Sequence, residues 1–215
     1  MSGIWALIPV KSLQHGKSRL SQRLSPVARQ ELSLAMLRDV LTAVTQAPSI
    51  VGGLVIHSDP SIESLATEML VEARLESPEA GDLNGALRQG LEIISSMDAD
   101  GALIIPGDVP LVDAAAIEQV VWLSPQSPGI TICPSLDEDG TNGLLLRPVQ
   151  AISPKFGHRS FHRHAELARA AGLPVAVIRI ASLGLDIDEP RDLDAFLAVD
   201  TFTHAGAVLR GLVSR

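Results

Sequence analysis

The chain has 215 residues, 46% of them hydrophobic and 20% charged, with a formal net charge of −8. That length and apolar content suit one domain with a sizeable core and exclude a disordered chain. The acidic balance argues against a broad nucleic-acid-binding face, the single Cys133 excludes an internal disulfide or a Cys-based zinc cluster, and no apolar run is long enough to span a bilayer.

Gly3 to Val10 is almost wholly apolar and reads as a first central strand buried on both faces. A basic loop follows, Lys11-Ser12-Leu13-Gln14-His15-Gly16-Lys17-Ser18-Arg19-Leu20. It reads either as a solvated surface loop or as a triphosphate cradle directly after the strand. It is not a Walker A loop, because its glycine spacing is out of frame. Ser25-Pro26 signals a helix start, and Leu34, Leu37, Leu41 and Val44 recur at helical spacing until Pro48. Val51 to His57 reads as the second strand, Ser58-Asp59-Pro60 as a turn, and Ile62 to Leu70 as a short helix. Val71 to Leu75 is a third strand candidate, and Asp82 is a plausible N-cap for a helix running through Leu87, Leu91 and Ile94. Asn84 lies in the first turn of that helix, where its amide would serve local capping or address a base or ribose.

The fourth strand, Ala102 to Ile105, ends abruptly in Pro106-Gly107-Asp108-Val109-Pro110. In an open α/β sheet, ligands gather outside the carboxyl ends of strands. Asp108 reads equally as a turn residue or as a cation ligand at that edge. Asp113 caps a further helix with Ile117, Val120 and Val121. The alternation of strands and helices to this point is that of a parallel, helix-flanked sheet. Ile130 to Cys133 and Gly143 to Arg147 then flank an acidic turn, as in a hairpin. Cys133, in Ile-Thr-Ile-Cys-Pro, reads as a buried, inert thiol. Ser160 is the expected N-cap of a helix whose start gathers Arg159, His162 and Arg163, either an anion site or a solvated helix end. Pro174 to Ile180 is the last strong strand candidate. In the following Leu185-Asp186-Ile187-Asp188-Glu189-Pro190, both aspartates share a face if the segment is extended. Asp188 or Glu189 would cap the helix that begins at Pro190. Residues 201–215 form an apolar tail suited to docking on the domain or on a partner subunit, so a homodimer stays open.

A cationic loop, a lone carboxylate after strand four and a carboxylate pair after the last strand describe metal-assisted phosphoryl or nucleotidyl transfer. No Ser-His-Asp order, Cys-His pair or zinc-binding His-Glu-x-x-His stands out, and His162 and His164 point to different helix faces.

Leu7-Ile8-Pro9-Val10-Lys11, Gly16-Lys17-Ser18-Arg19-Leu20, Pro106-Gly107-Asp108-Val109-Pro110, Gly140-Thr141-Asn142-Gly143, Phe156-Gly157-x-x-Ser160-Phe161 and Asp186-Ile187-Asp188-Glu189-Pro190-x-Asp192-Leu193 together resemble the guanylyltransferases of deazaflavin coenzyme F-420 biosynthesis. Those enzymes are named for 2-phospho-L-lactate, phosphoenolpyruvate or 3-phospho-D-glycerate as acceptor. The resemblance runs through residues 4–197 in the family's order. It implies a three-layer nucleotidyltransferase fold like that of the nucleotide-diphospho-sugar transferases, with a mostly parallel central sheet, in a single cytoplasmic domain. It implies that Lys11, Lys17 and Arg19 hold the GTP phosphates and that Asp108, Asp186 and Asp188 bind Mg²⁺. Thr141, Gly157 and Ser160 match the positions that bind the phosphorylated acid. His57, Ser58, Asp59, Glu76 and Asn84 are candidates near the base or ribose, without a specific signal. A nucleotidyltransferase acting on a sugar phosphate or a pterin, and a non-catalytic GTP-binding regulator, are the competing readings.

Overall fold

The computed structural model describes residues 3–13, 16–199 and 202–213. Gln14 and His15 of the basic loop, and Thr201 at the expected start of the tail, lie outside the described residues, as do Ser214 and Arg215 at its end. In chain order the elements are β1 (Ile4–Val10), α1 (Pro26–Gln46), β2 (Ile50–His57), α2 (Ile62–Glu68), β3 (Glu72–Leu75), α3 (Leu83–Ser95) and β4 (Gly101–Ile104). They continue with α4 (Ala114–Trp122), β5 (Gly129–Pro134), β6 (Thr141–Arg147), α5 (Ser160–Ala170), β7 (Val175–Val177), α6 (Ala181–Gly184), α7 (Pro190–Leu197) and α8 (His204–Val213).

The expected caps form. Ser25 accepts from the Ala28 amide (3.2 Å), Asp82 from Gly85 (2.8 Å) and Asp113 from Ala116 (2.7 Å). Each satisfies one of the free amides that open a helix.

The strands join in the order β3-β2-β1-β4-β6-β5-β7. Every pairing is parallel except those of β6, which runs against both β4 and β5. β5 and β6 are the two arms expected around the acidic turn. Alternation along β1 divides the core into two layers. Ile4, Ala6 and Ile8 pack with Leu37, Val40 and Leu41 of α1 and with Ile117 and Val120 of α4. Trp5 and Leu7 pack on the opposite face with Leu87, Leu91 and Ile94 of α3 and Ala168 of α5. Each such side chain, fully buried, contributes roughly 1.5–3 kcal/mol.

This topology has one switch point. From β1 the chain winds outward through β2 to β3, then returns to place β4 on the other side of β1. The loops leaving β1 and β4 therefore diverge and leave a crevice between them.

One expectation changes and another narrows. The strand expected over 174–180 forms only at Val175–Val177. It is an edge strand bonded to β5 alone, with Val175 and Val177 partly exposed, so its apolar run is not a buried centre. The tail docks on its own domain: α8 packs Ala205 and Leu209 against Leu32 and Met36 of α1 and Phe196 of α7. Asp39, buried on α1, accepts from the His204 amide (2.7 Å), His204 Nδ1 (2.8 Å) and the Ala205 amide (2.9 Å). One carboxylate thus caps a helix some 165 residues away in sequence. Asp39→Ala should cost about 1–3 kcal/mol in urea denaturation, and Asp39→Asn less. An unchanged midpoint in the alanine variant would show that this cap does not hold α8.

Candidate active site

The crevice is closed on its far side by residues 185–188, between α6 and α7. The Ile187 amide donates to the Asp108 carbonyl at 3.1 Å, and the Ile187 side chain is fully buried. That bond pins the carboxylates of Asp186 and Asp188, on either side of Ile187, beside Asp108. Glu189 and Asp192 form a capping box for α7, and Asp192 Oδ2 accepts from the amides of Asp188 and Glu189. Glu189 is therefore the cap, and the Asp188 carboxylate faces the crevice.

Lys17 enters from the β1 loop. Its Nζ lies 2.5 Å from Asp108 Oδ2 and 2.6 Å from Asp188 Oδ1, with only 10% of the side chain exposed. Burial alone would lower its pKa, but the two carboxylates outweigh burial and hold it above the ordinary lysine value. Among the described residues, no cation pairs with Asp186. Burial pushes its pKa up to about 6; a hydrogen bond from Asn142 opposes this, and Asp108 and Asp188 add to it. Asn142, itself buried, gives its Nδ2 to both Asp186 Oδ1 and the Gly184 carbonyl, each at 3.0 Å. Among the described residues, no three carboxylate, imidazole or thiol groups already converge as a metal cage. The chemistry of the set still suits a hard divalent ion such as Mg²⁺: oxygen donors are drawn together, and a cation already bridges two of them.

Two cavities meet at this point. One of about 370 Å³ runs beneath the β1 loop and is lined by Lys11, Ser12, Gly16 and Lys17. The other, about 700 Å³, is lined by Thr141, Asn142, Gly157, Ser160 and Asp186. Asp108 and Asp188 line both, as do Leu83, Pro106 and Phe156. Arg19 stands apart from Lys11 and Lys17: it is largely exposed, pairs with Glu189 at 3.1 Å and faces the larger cavity. Such an exposed pair adds little stability.

The larger cavity brings Thr141, Gly157 and Ser160 together. Gly157 has φ of +108°, a conformation that L side chains rarely adopt. Ser160 is not the N-cap of α5. Arg159 holds that position in a left-handed conformation (φ 56°) without a side-chain cap. The cap comes instead from the acidic turn: Asp139 Oδ2 accepts from the Arg159 amide (2.9 Å), and the Asp139 carbonyl accepts from Phe161 (3.2 Å). Those amides are already bonded, so the α5 terminus is not the open anion site its cations suggested. Asn84 is likewise occupied. Its Nδ2 donates to the Phe156 carbonyl (3.2 Å) and its Oδ1 accepts from the Phe156 amide (2.7 Å). It braces the 156–157 turn from α3 instead of capping its own helix. His57, Ser58, Asp59 and Glu76 line neither cavity. Asp59 instead accepts from the Leu13 amide at 3.2 Å and ties down the β1 loop. Cys133 is buried in the sheet, its thiol pushed up to about 12 by burial, and is inert. The sequence reading gave no role to Asn142, although it lies within the Gly140–Gly143 motif, or to His164, which carried no local signal beyond its residue type.

A sequence model of the family described as "Guanylyl transferase CofC like" matches residues 4–213. The chain belongs to that family. Among its guanylyltransferase relatives is the phosphoenolpyruvate guanylyltransferase of Sphaerobacter thermophilus, 39% identical over 189 residues that cover 88% of this chain and 90% of the relative. Another is the 2-phospho-L-lactate guanylyltransferase of Methanothermobacter thermautotrophicus, 36% identical over 207 residues that cover 96% of this chain and 90% of the relative. The fold is that of the nucleotidyltransferases. A protein of Desulfovibrio desulfuricans G20 assigned as a nucleotide-diphospho-sugar transferase superposes with TM-score 0.78 at 15% identity, covering 100% of this chain and 96% of that one. A Methanothermobacter nucleotidyl transferase superposes with TM-score 0.70 at 16% identity, covering 97% and 99%.

The wholly buried His164 beside the larger cavity gives a pH signature. Burial pulls its pKa down to about 4, whereas an unfolded histidine titrates near 6.5. Between those values the unfolded chain binds more protons here than the folded one. The contribution is therefore complete above about pH 6.5 and is lost as pH falls toward 4. Asp186, raised when folded, acts with the opposite sign, and it is common to wild type and a His164 variant. From pH 7 to 4.5, the wild type should lose about 1–3 kcal/mol more than His164→Gln in urea denaturation. Equal losses would show that the folded ring is not held neutral.

Proposed function

We propose that the chain transfers GMP from GTP to the phosphate of a three-carbon phosphoacid and releases pyrophosphate, as a cytoplasmic step of coenzyme F-420 synthesis. The observation that carries this is the buried Lys17 ammonium between Asp108 and Asp188, on the seam where two cavities meet. A reaction between two anions needs cationic charge where they meet, with a separate berth for each.

In this reading Lys11 and Lys17 hold the triphosphate, and Arg19 serves the rim of the acceptor cavity. Thr141, the Gly157 amide and Ser160 hold the acceptor. The relatives' names support that class of acceptor: phosphoenolpyruvate and 2-phospho-L-lactate both carry a carboxylate and a phosphate on three carbons. An acceptor phosphate oxygen bonds to the α-phosphorus as the bond from that phosphorus to the bridging oxygen breaks, and the bridging oxygen leaves with pyrophosphate. The second pKa of a phosphate ester is about 6, so the attacking group is mostly dianionic at neutral pH and no side chain need remove a proton. His164, neutral and buried, is not required as a base. Asp108, Asp186 and Asp188 would hold Mg²⁺, which when bound screens the two anions from each other. Lys17 would then shift from the carboxylates onto the nucleotide phosphates.

Asp108→Asn should reduce pyrophosphate release by at least about 1000-fold with circular dichroism unchanged. The assay offers GTP and Mg²⁺ with phosphoenolpyruvate, 2-phospho-L-lactate, 3-phospho-D-glycerate or a sugar phosphate, and products are identified by mass. Retained turnover would refute the carboxylate assignment. GTP binding without pyrophosphate release on any acceptor would favour a regulator. Lys17→Met should tighten Mn²⁺ binding to the nucleotide-free protein about tenfold, read by electron paramagnetic resonance, because the competing ammonium is gone. Unchanged or weaker binding would show that Lys17 and the metal do not share a site.

A further inference from the structure

Thr141 opens β6 at the larger cavity, and its Oγ1 lies 3.0 Å from His164 Nδ1. Either atom of such a pair could be the donor, and the other ring nitrogen decides. The Lys155 amide points at His164 Nε2 at 2.9 Å. A backbone N–H can only donate, so Nε2 accepts and carries no proton. A doubly protonated ring is excluded by the same contact, and the ring is wholly buried with Phe156 edge-on at 4.9 Å. The ring's proton therefore sits on Nδ1, and Nδ1–H donates to Thr141 Oγ1. A hydroxyl has a single proton. With its oxygen accepting from behind, that proton turns away from His164.

We propose that His164 is a positioning residue that sets the polarity of Thr141, so that the Thr141 hydroxyl is a committed donor to an anionic oxygen of the acceptor. This rests on the reading of Thr141 as an acceptor-binding residue. The device distinguishes ligands by chemistry. A carboxylate or phosphate oxygen accepts the bond, whereas a carboxamide nitrogen or hydroxyl hydrogen there faces another donor. Buried and neutral at pH 7, His164 adds no competing proton donor to the cavity.

The direct test is two-bond ¹H–¹⁵N spectroscopy of the full chain at pH 7. His164 should show a protonated Nδ1 and a bare Nε2; the reverse tautomer, or a charged ring, overturns the proposal. Kinetics with GTP, Mg²⁺ and phosphoenolpyruvate or 2-phospho-L-lactate as acceptor probes supply the second test. In His164→Gln, one amide can both donate to Thr141 and accept from Lys155, and all constants should stay within about threefold of wild type. His164→Leu should raise the acceptor KM about tenfold, with the GTP KM changed by less than about twofold. Thr141→Val should do the same, and the double variant should be no worse than Thr141→Val alone. Additive losses would show that His164 acts otherwise than through the hydroxyl and overturn the proposal. An unchanged acceptor KM in Thr141→Val would instead remove Thr141 from the acceptor site, a failure of the functional reading that the tautomer spectrum separates from this one.

Discussion

Two chain segments bring three carboxylates to one point, and the buried ammonium of Lys17, from a third, lets them stay there. Asp108 follows β4, Asp186 and Asp188 precede α7, and Lys17 arrives from the loop after β1. Without a cation, packing these carboxylates together would cost desolvation and repulsion at once, and burial with its carboxylate neighbours already raises Asp186 to about 6. The backbone bond from Ile187 to Asp108 leaves the segment little room to spread. Lys17 therefore makes the ligand-free fold compatible with carboxylates crowded at one point. On the proposed function, an acidic protein handles an anionic nucleotide through cations that are few but local.

Around the residues facing the cavities stand three neutral polar side chains, while a carboxylate, Asp139, caps α5. Asn142 aims Asp186, His164 aims Thr141, and Asn84 braces Phe156 on both its amide and its carbonyl. Asn84 and His164 each use a donor and an acceptor together, so each fixes a direction as well as a distance. Neutral groups suit the task, because further charge beside the carboxylates would shift the balance that Lys17 maintains.

The sheet was legible because its signals are local. Apolar runs marked the strands, and Ser25, Asp82 and Asp113 each announced a helix through a bond only three residues long. Asp108, Asp186 and Asp188 were legible as candidates because a polar residue ending a buried strand, and two carboxylates around one apolar residue, are local patterns too. Their grouping depends on contacts that no short window contains. Lys17 meets Asp188 across 171 positions, and Asn84 meets Phe156 across 72. The misreadings share that cause. Ser160 looked like a cap because the true cap, Asp139, lies twenty residues upstream of Arg159. The run 174–180 looked like a full strand, and apolarity does not reveal that only Val175–Val177 pair or that, among the described residues, they form the edge of the sheet.

On the proposed function, the same electrostatics make a catalytic base unnecessary. A phosphate acceptor arrives already deprotonated, so a base would have nothing to remove, and a charged histidine beside it would trap the anion without advancing the reaction. The structure has a histidine close to the larger cavity, yet the Lys155 amide and burial keep it neutral and set it behind a hydroxyl. What this chemistry needs is two anions held close in a fixed geometry, with charge screened between them and water kept from competing. Rigid donors aimed into a cavity meet that need better than a titrating group, because their hydrogen-bonding capacity stays constant across the pH range in which the acceptor changes its own protonation.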